Sequence, residues 1–231
     1  MLTWFNLAAV CLAGYVIGSI PTGLIFVKIS TGKNIQNVES GRTGGTNAMR
    51  AAGYGIGILT VMIDTLKGAS TVWLAKSVFP EAYLLHVITP ILAIVGHNHS
   101  LFLLRMENNG ELKVGGGAGG TPALGGALGL WGPSVLILLP AAVLIFFVIG
   151  YASVTTMSIP VLTALIFTVR HFTAGSPWEY IIYGIVAEAF ILWSLRPNIQ
   201  RLRKGTERLV GLRAMKNKNQ ADASADHQEG K

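Results

Sequence analysis

Charge is scarce in this chain: 13% of its 231 residues are Asp, Glu, Lys or Arg, about half the share of an average soluble domain. With 51% hydrophobic residues and a mean hydropathy of +0.52, that scarcity excludes an ordinary water-soluble domain and points to a polytopic membrane protein. Cysteine is nearly missing. Cys11 stands alone, so no intramolecular disulfide forms, and its place in an apolar run marks it as a packing residue. No cysteine or carboxylate cluster has the spacing of a metal site, and neither metal nor cofactor is expected. Aromatic residues are not interleaved with basic ones, which removes nucleic acid from the candidate partners. Neither a GxSxG segment nor a cysteine–histidine arrangement offers a covalent nucleophile. The first apolar run has no basic residue before it and no small-residue cleavage site of the usual form after it, so it is expected to remain as a span.

Apolar runs fill the chain instead, near residues 4–27, 53–79, 82–104, 119–131, 133–150, 156–171 and 178–195. Runs of about 20 residues match the thickness of a bilayer. Seven of them predict one all-α domain over residues 1–212, a polytopic membrane helical bundle of about seven transmembrane helices. Gly132 and Pro133 divide the stretch from 119 to 150 into two helices. The fourth and sixth runs are short, which makes either a candidate for a broken or re-entrant helix. Residues 213–231 are polar and without apolar periodicity, a composition that predicts a disordered tail.

The net charge of +7 is read as a topology signal. Lys28, Lys33, Arg42 and Arg50 follow the first run, Arg105 and Lys113 follow the third, and nine of the 18 basic residues lie from Arg196 onward. With seven helices these regions share a face, and their basic excess makes that face, with the C-terminus, cytoplasmic. Lys76 and Arg170 flank the opposite face. Two similar segments, AGYVIG at 13–18 and AGYGIG at 52–57, are read as points of close helix contact rather than as a duplication.

Polar and glycine-rich segments gather on the inferred cytoplasmic face. In GSIPTG, residues 18–23, Pro21 and two glycines loosen a helix end and free backbone groups. The segment SGRTGGTNAMR, residues 40–50, leads into a helix expected to begin near Thr46 or Asn47, where exposed N–H groups favour an anion. Ser40, Thr46 and Asn47 add neutral donors, and Arg42 and Arg50 add charge and paired N–H bonds suited to phosphate. Asp64 and Lys67 stand three residues apart on one helical face, either as a structural ion pair or as part of a site. Glu188 is a lone acid with the same ambiguity. In GHNHS, residues 96–100, His97 and His99 lie on nearly opposite sides of a helix and form no metal pair. Each is suited to donating to a substrate or a neighbouring loop. Gly115 to Gly120 form a second candidate anion nest.

In order along nearly the whole chain, GSIPTG, SGRTGGTNAMR, DTLKG, VGHNHS, GGGAGGTPALG, YASVTTMS and RPNIQRLRKGTE resemble the bacterial glycerol-3-phosphate acyltransferases that use acyl phosphate as donor. The resemblance implies an integral enzyme of the bacterial cytoplasmic membrane with its active site on the inner face. It implies transfer of a fatty acyl group from acyl phosphate to the 1-hydroxyl of glycerol 3-phosphate, giving lysophosphatidic acid, within membrane lipid and without an obligate protein partner. By position, Ser40, Arg50, Ser153 and Asn198 take catalytic places. Arg42, Thr46, Asn47, Gly116, Gly117 and Gly119 take phosphate-binding places, and Asp64, Lys67, His97, Asn98 and Ser100 supporting ones. The chain departs from the family pattern where GGKG reads Gly116, Gly117, Ala118, Gly119, where HRxN reads Leu195, Arg196, Pro197, Asn198, and where an asparagine is Arg42. Because an acyl phosphate is a mixed anhydride with a good leaving group, direct transfer is expected without an acyl-enzyme. The other function class served by a glycine-lined cationic cavity is a carrier for an organic phosphate. A carrier needs a site near the bilayer midplane, whereas these motifs gather at one face.

Overall fold

A computed structural model of the chain describes residues 4–106 and 110–217. Helix α1 (Trp4–Ser19) breaks before Pro21 and continues as α2 (Thr22–Thr31), after which come a loop, the short α3 (Gly45–Ala52) and the long α4 (Tyr54–Val78) and α5 (Tyr83–Asn98). A small exposed antiparallel hairpin of β1 (Leu104–Met106) and β2 (Leu112–Val114) leads to α6 (Gly120–Leu130). The chain then forms α7 (Val135–Val148), α8 (Ala152–Ala174), α9 (Glu179–Ser194) and α10 (Arg196–Arg203).

Each of the seven expected runs holds a helix, but not every helix is a full span. Trp4–Thr31, Tyr54–Val78, Tyr83–Leu103 and Ala152–Ala174 are long and apolar enough to cross a membrane, and α9 with α10, bent by 70°, forms a fifth candidate. At 11 residues, α6 is only about 16 Å long, half of what a bilayer core requires, so the fourth run is the broken one. The sixth run is not short: α8 has 23 residues and begins at Ala152, earlier than apolarity predicts. Its early hydroxyls are absorbed by the helix itself, since Thr155 Oγ1 donates to the Tyr151 carbonyl at 3.3 Å and Ser158 Oγ to that of Val154 at 2.7 Å. Of the expected polar tail, residues 213–217 are helical, and 218–231 lie outside the described residues.

Missing side chains set how the helices pack. A Cβ on Gly18 would sit 2.2 Å from the Ala93 carbonyl oxygen, and one on Gly96 2.2 Å from that of Tyr15, so α1 and α5 meet backbone to backbone. Gly68 and Gly125 bring α4 against α6 in the same way, with Cβ positions 2.2 Å from the Pro122 oxygen and 1.9 Å from the Thr65 oxygen. Beside them a buried core of Ile94, Leu124, Ile159, Phe167, Tyr183 and Ile191 joins α5, α6, α8 and α9. Tyr183 donates its hydroxyl to the Ala123 carbonyl at 2.9 Å. Large apolar side chains such as Leu136, Leu165 and Phe172 point outward, as a lipid-facing surface requires. Cys11 is half-buried and packs in a small apolar cluster with Val10, Ala75, Phe79 and Leu85.

Two lysines seal helix ends. The buried Lys67 donates from Nζ to the Ile20 carbonyl at 2.6 Å and the Gly18 carbonyl at 3.1 Å, at the end of α1. It also pairs with Asp64 at 2.8 Å, and Asp64 accepts the hydroxyl of Thr22, the first residue of α2. The Asp64–Lys67 pair is therefore the pin of the α1–α2 break, and the backbone groups loosened by Pro21 are satisfied inside the protein. At the opposite end of the bundle, the half-buried Lys76 donates from Nζ to the carbonyls of Gly129 and Leu130, each at 2.9 Å, closing the C-terminus of α6.

Candidate active site

The loop from Ser40 to Gly44 is shaped by one amide and one guanidinium. Asn47 Nδ2 donates to the carbonyls of Ile35, Val38 and Arg42 at 3.2, 3.0 and 2.8 Å, folding the loop back onto the first turn of α3. Arg42 reaches across the molecule. Its Nη1 donates to the Gly117 carbonyl at 2.7 Å and to Ser194 Oγ at 3.0 Å, and its Nη2 to the Ser194 carbonyl at 2.6 Å. The Thr43 N–H donates to the Gly116 carbonyl at 3.1 Å. Three segments distant in sequence are thus clamped into one wall.

The cleft so formed is lined by Ser40, Arg42, Thr46, Asn47 and Arg50 from the first segment, with His97, Gly119, Ser153 and Asn198 from elsewhere. Three helices begin at it. The starts of α3 (Gly44, Gly45), α6 (Gly119, Gly120, Thr121) and α8 (Ala152, Ser153) all line it, and none has a side-chain cap. Gly119 serves as the N-cap of α6 at φ 92°, a left-handed conformation that glycine adopts without strain. First-turn N–H groups, which a helix leaves without an i−4 partner, and the positive ends of three helix dipoles make a place for negative charge. The end of α5 has the opposite polarity but is closed, because the Gly117 N–H donates to the His97 carbonyl at 2.8 Å.

Side-chain charge adds to the same field. Arg50 lines the cleft. Burial lowers its pKa, with Glu39 opposing the shift. Burial likewise lowers that of Arg42, reinforced by the neighbouring Arg201 charge and opposed by Glu207. Glu207 is the one carboxylate among the lining residues, and both of its oxygens are engaged. Oε1 accepts from Asn198 Nδ2 at 2.8 Å and Oε2 from Arg201 Nε at 2.9 Å. Ser153 Oγ and Asn198 Oδ1 are buried and have no hydrogen-bond partner among the described residues, an arrangement proteins seldom keep unless a ligand completes it.

Not every residue expected at the site faces this cleft. Gly116, Gly117 and Asn98 line a neighbouring recess beyond Arg42, together with Gln36 and Trp193. Gly117 instead makes room for His97, whose Nε2 lies 1.9 Å from where a Cβ would be. His97 Nδ1 is 3.8 Å from Asp64 Oδ1, too far for a hydrogen bond. Ser100 donates to the Ser19 carbonyl and supports α1. The helix expected near Thr46 starts at Gly45. The sequence reading missed Thr121, Ala152, Thr156, Glu207 and Arg208 as lining residues. Glu207 closes the segment RPNIQRLRKGTE, where a lone acid among basic residues was the available signal. Ala152 carried none.

Comparison with known proteins gives the family and the overall fold. Residues 8–205 match the glycerol-3-phosphate acyltransferase family. A glycerol-3-phosphate acyltransferase of Syntrophomonas wolfei is 33% identical over 200 residues, 87% of this chain and 95% of that protein. One from Rubrobacter xylanophilus is 34% identical over 203 residues, 88% of this chain and 94% of its own length. Among solved structures, the glycerol 3-phosphate form of PlsY (YgiH), an integral membrane glycerol 3-phosphate acyltransferase, is similar with a TM-score of 0.75 at 28% identity, over 89% of this chain and 96% of that one. Its lysophosphatidic acid form gives a TM-score of 0.73 at 27% identity over the same shares. With the match spanning the bundle and every wall of the cleft except Glu207 and Arg208, the chain belongs to the glycerol-3-phosphate acyltransferase family.

Proposed function

We propose that this protein transfers a fatty acyl group from acyl phosphate to the 1-hydroxyl of glycerol 3-phosphate at the cytoplasmic face of a bacterial cytoplasmic membrane, releasing lysophosphatidic acid and inorganic phosphate. Acylation of glycerol 3-phosphate to lysophosphatidic acid follows from membership of the family and from the two ligand forms of the similar PlsY structure. Acyl phosphate as donor, the face and the roles below rest on the chemistry of the cleft. The observation that carries the reading is the convergence of three uncapped helix starts and Arg50 on one cleft whose single carboxylate is already engaged. Two phosphate groups must be held side by side for this reaction, and this is a field that holds them.

The hydroxyl oxygen of the acceptor attacks the acyl carbonyl carbon, the bond from that carbon to the phosphate oxygen breaks, and the leaving phosphate takes the hydroxyl proton. No protein nucleophile is required, since phosphate is already a good leaving group. Orientation and electrostatic stabilisation supply the acceleration. Arg50, Thr46, Ser40 and the first turns of α3 and α6 hold phosphate oxygens. Ser153 Oγ donates to a substrate oxygen, and Asn198 Oδ1, fixed by the amide's bond to Glu207, accepts from the acceptor hydroxyl and aims it. Arg42 and Asn47 act through the loop they brace. A carrier of organic phosphates is disfavoured because the polar groups open at helix ends rather than midway along them.

The test is to incubate the purified full chain with acyl phosphate and glycerol 3-phosphate and to follow lysophosphatidic acid and phosphate. Equal release of both is expected, with Arg50→Ala reduced by about a hundredfold. Product formation equal in wild type, Arg50→Ala and a protein-free control overturns the proposal.

A further inference from the structure

Only one face of α10 belongs to the cleft. Asn198 and Arg201 turn toward Glu207, while Ile199 and Arg203 line a separate surface groove with Met157 of α8 and Leu192 of α9, and Arg196 stands on the edge between that groove and the recess beyond Arg42. The groove has two chemistries. Its floor is apolar, formed by Met157, Ala189 and Leu192, and it continues the lipid-facing side of α9, where Leu192 and Trp193 are exposed. Its rim is basic. Arg201 on the cleft side is paired with Glu207 at 2.9 Å, whereas Arg196 and Arg203 have no ion pair among the described residues.

The placement of these two cations is not that of a solvated tail. α10 leaves the apolar α9 at 70°, so with α9 crossing the bilayer α10 runs nearer to the membrane plane than to its normal, toward the headgroup level. Trp193, at that same bend, is of the residue type that marks this level. The Arg196 guanidinium lies over the Trp193 ring, 3.2 Å from its centroid, which fixes its plane and leaves its N–H edge free for an oxygen anion. We infer that this groove binds an anionic glycerophospholipid of the surrounding bilayer, its phosphate on Arg196 and Arg203 and one acyl chain along Met157, Ala189 and Leu192. A neutral lipid leaves the basic rim uncompensated. A soluble phosphate leaves the apolar floor uncovered. An anionic lipid satisfies both at once, and it is distinct from the substrates because groove and cleft share no lining residue.

Native mass spectrometry of the full chain, equilibrated in detergent with equimolar phosphatidylglycerol and phosphatidylcholine, tests this inference without depending on activity. The wild type is expected to retain phosphatidylglycerol in preference. Combining Arg196→Gln with Arg203→Gln is expected to reduce that retention roughly ten- to thirtyfold, each basic residue near a headgroup being worth about fivefold. Leu192→Gln should reduce it with the rim charge unchanged, and Lys204→Gln, outside the groove, should leave it intact. Elution of each variant at the wild-type volume with an unchanged melting temperature shows that it is folded. Equal retention of the two lipids by wild type overturns the inference. So does an equal loss with Lys204→Gln, which means a diffuse basic surface, or displacement by inorganic phosphate with no effect of Leu192→Gln, which means a free-anion site.

Discussion

Ser153 shows how much a single unpartnered atom can say. Its hydroxyl is buried at the start of α8, lines the cleft and bonds to nothing among the described residues, so in the resting fold it is an uncompensated polar group. Ser153→Ala is therefore expected to leave thermal stability unchanged or slightly raised while lowering kcat/KM by about ten- to a hundredfold, the worth of one hydrogen bond to a charged group. Unchanged turnover, or a fall in turnover that tracks a fall in melting temperature, refutes a substrate-facing role. Ser40, Thr46, Asn47 and Arg50 were legible in the linear chain because they share one short segment whose residue types suit an anion. Arg42 was legible as a phosphate-binding cation, and its guanidinium is instead engaged within the protein. Its place in the clamp depends on Gly117 and Ser194, which lie 75 and 152 residues away in the chain. Asp64 and Lys67 left two readings open, and the broken end of α1 chose the structural one.

Helix α6 has the composition of a membrane segment, yet it is half a span, and the shortness sinks its glycine start to where it meets α3 and α8. Apolarity reports that a helix is buried, but it does not report whether lipid or protein buries it. For α6 the answer is protein, because Gly68 and Gly125 let α4 close on it and Lys76 satisfies its last carbonyls. Gly125→Ala would drive a methyl group against the Thr65 carbonyl, a backbone atom that cannot swing aside. The expected cost is about 1–3 kcal/mol, read as a lower melting temperature in detergent. Gly132→Ala, with open space around it, is the control and should melt as wild type. If both variants behave alike, the close approach of α4 and α6 is not what seats the half-span.

Across the bundle, α1, α5, α7 and α9 end on the side where α3, α6, α8 and α10 begin, so the motifs that sequence order scatters come together at one end. In the proposed orientation the basic excess puts that end in the cytoplasm. In a Cys11→Ser background, Lys204→Cys and Ala174→Cys lie at opposite ends of the bundle, both exposed. An impermeant thiol reagent added outside intact cells is expected to label position 174 and spare 204, and the reverse pattern would reject the orientation. What the linear chain established was the solvent each segment prefers, the number of apolar segments and the residue types suited to phosphate, because hydropathy and local motifs are properties of neighbours in sequence. Folding alone established which of those residues share a cleft, which serve as clamps, and that three helix starts aim at one point. Such facts come from contacts between segments up to 169 residues apart, where glycine-permitted backbone approach, rather than side-chain type, sets the geometry.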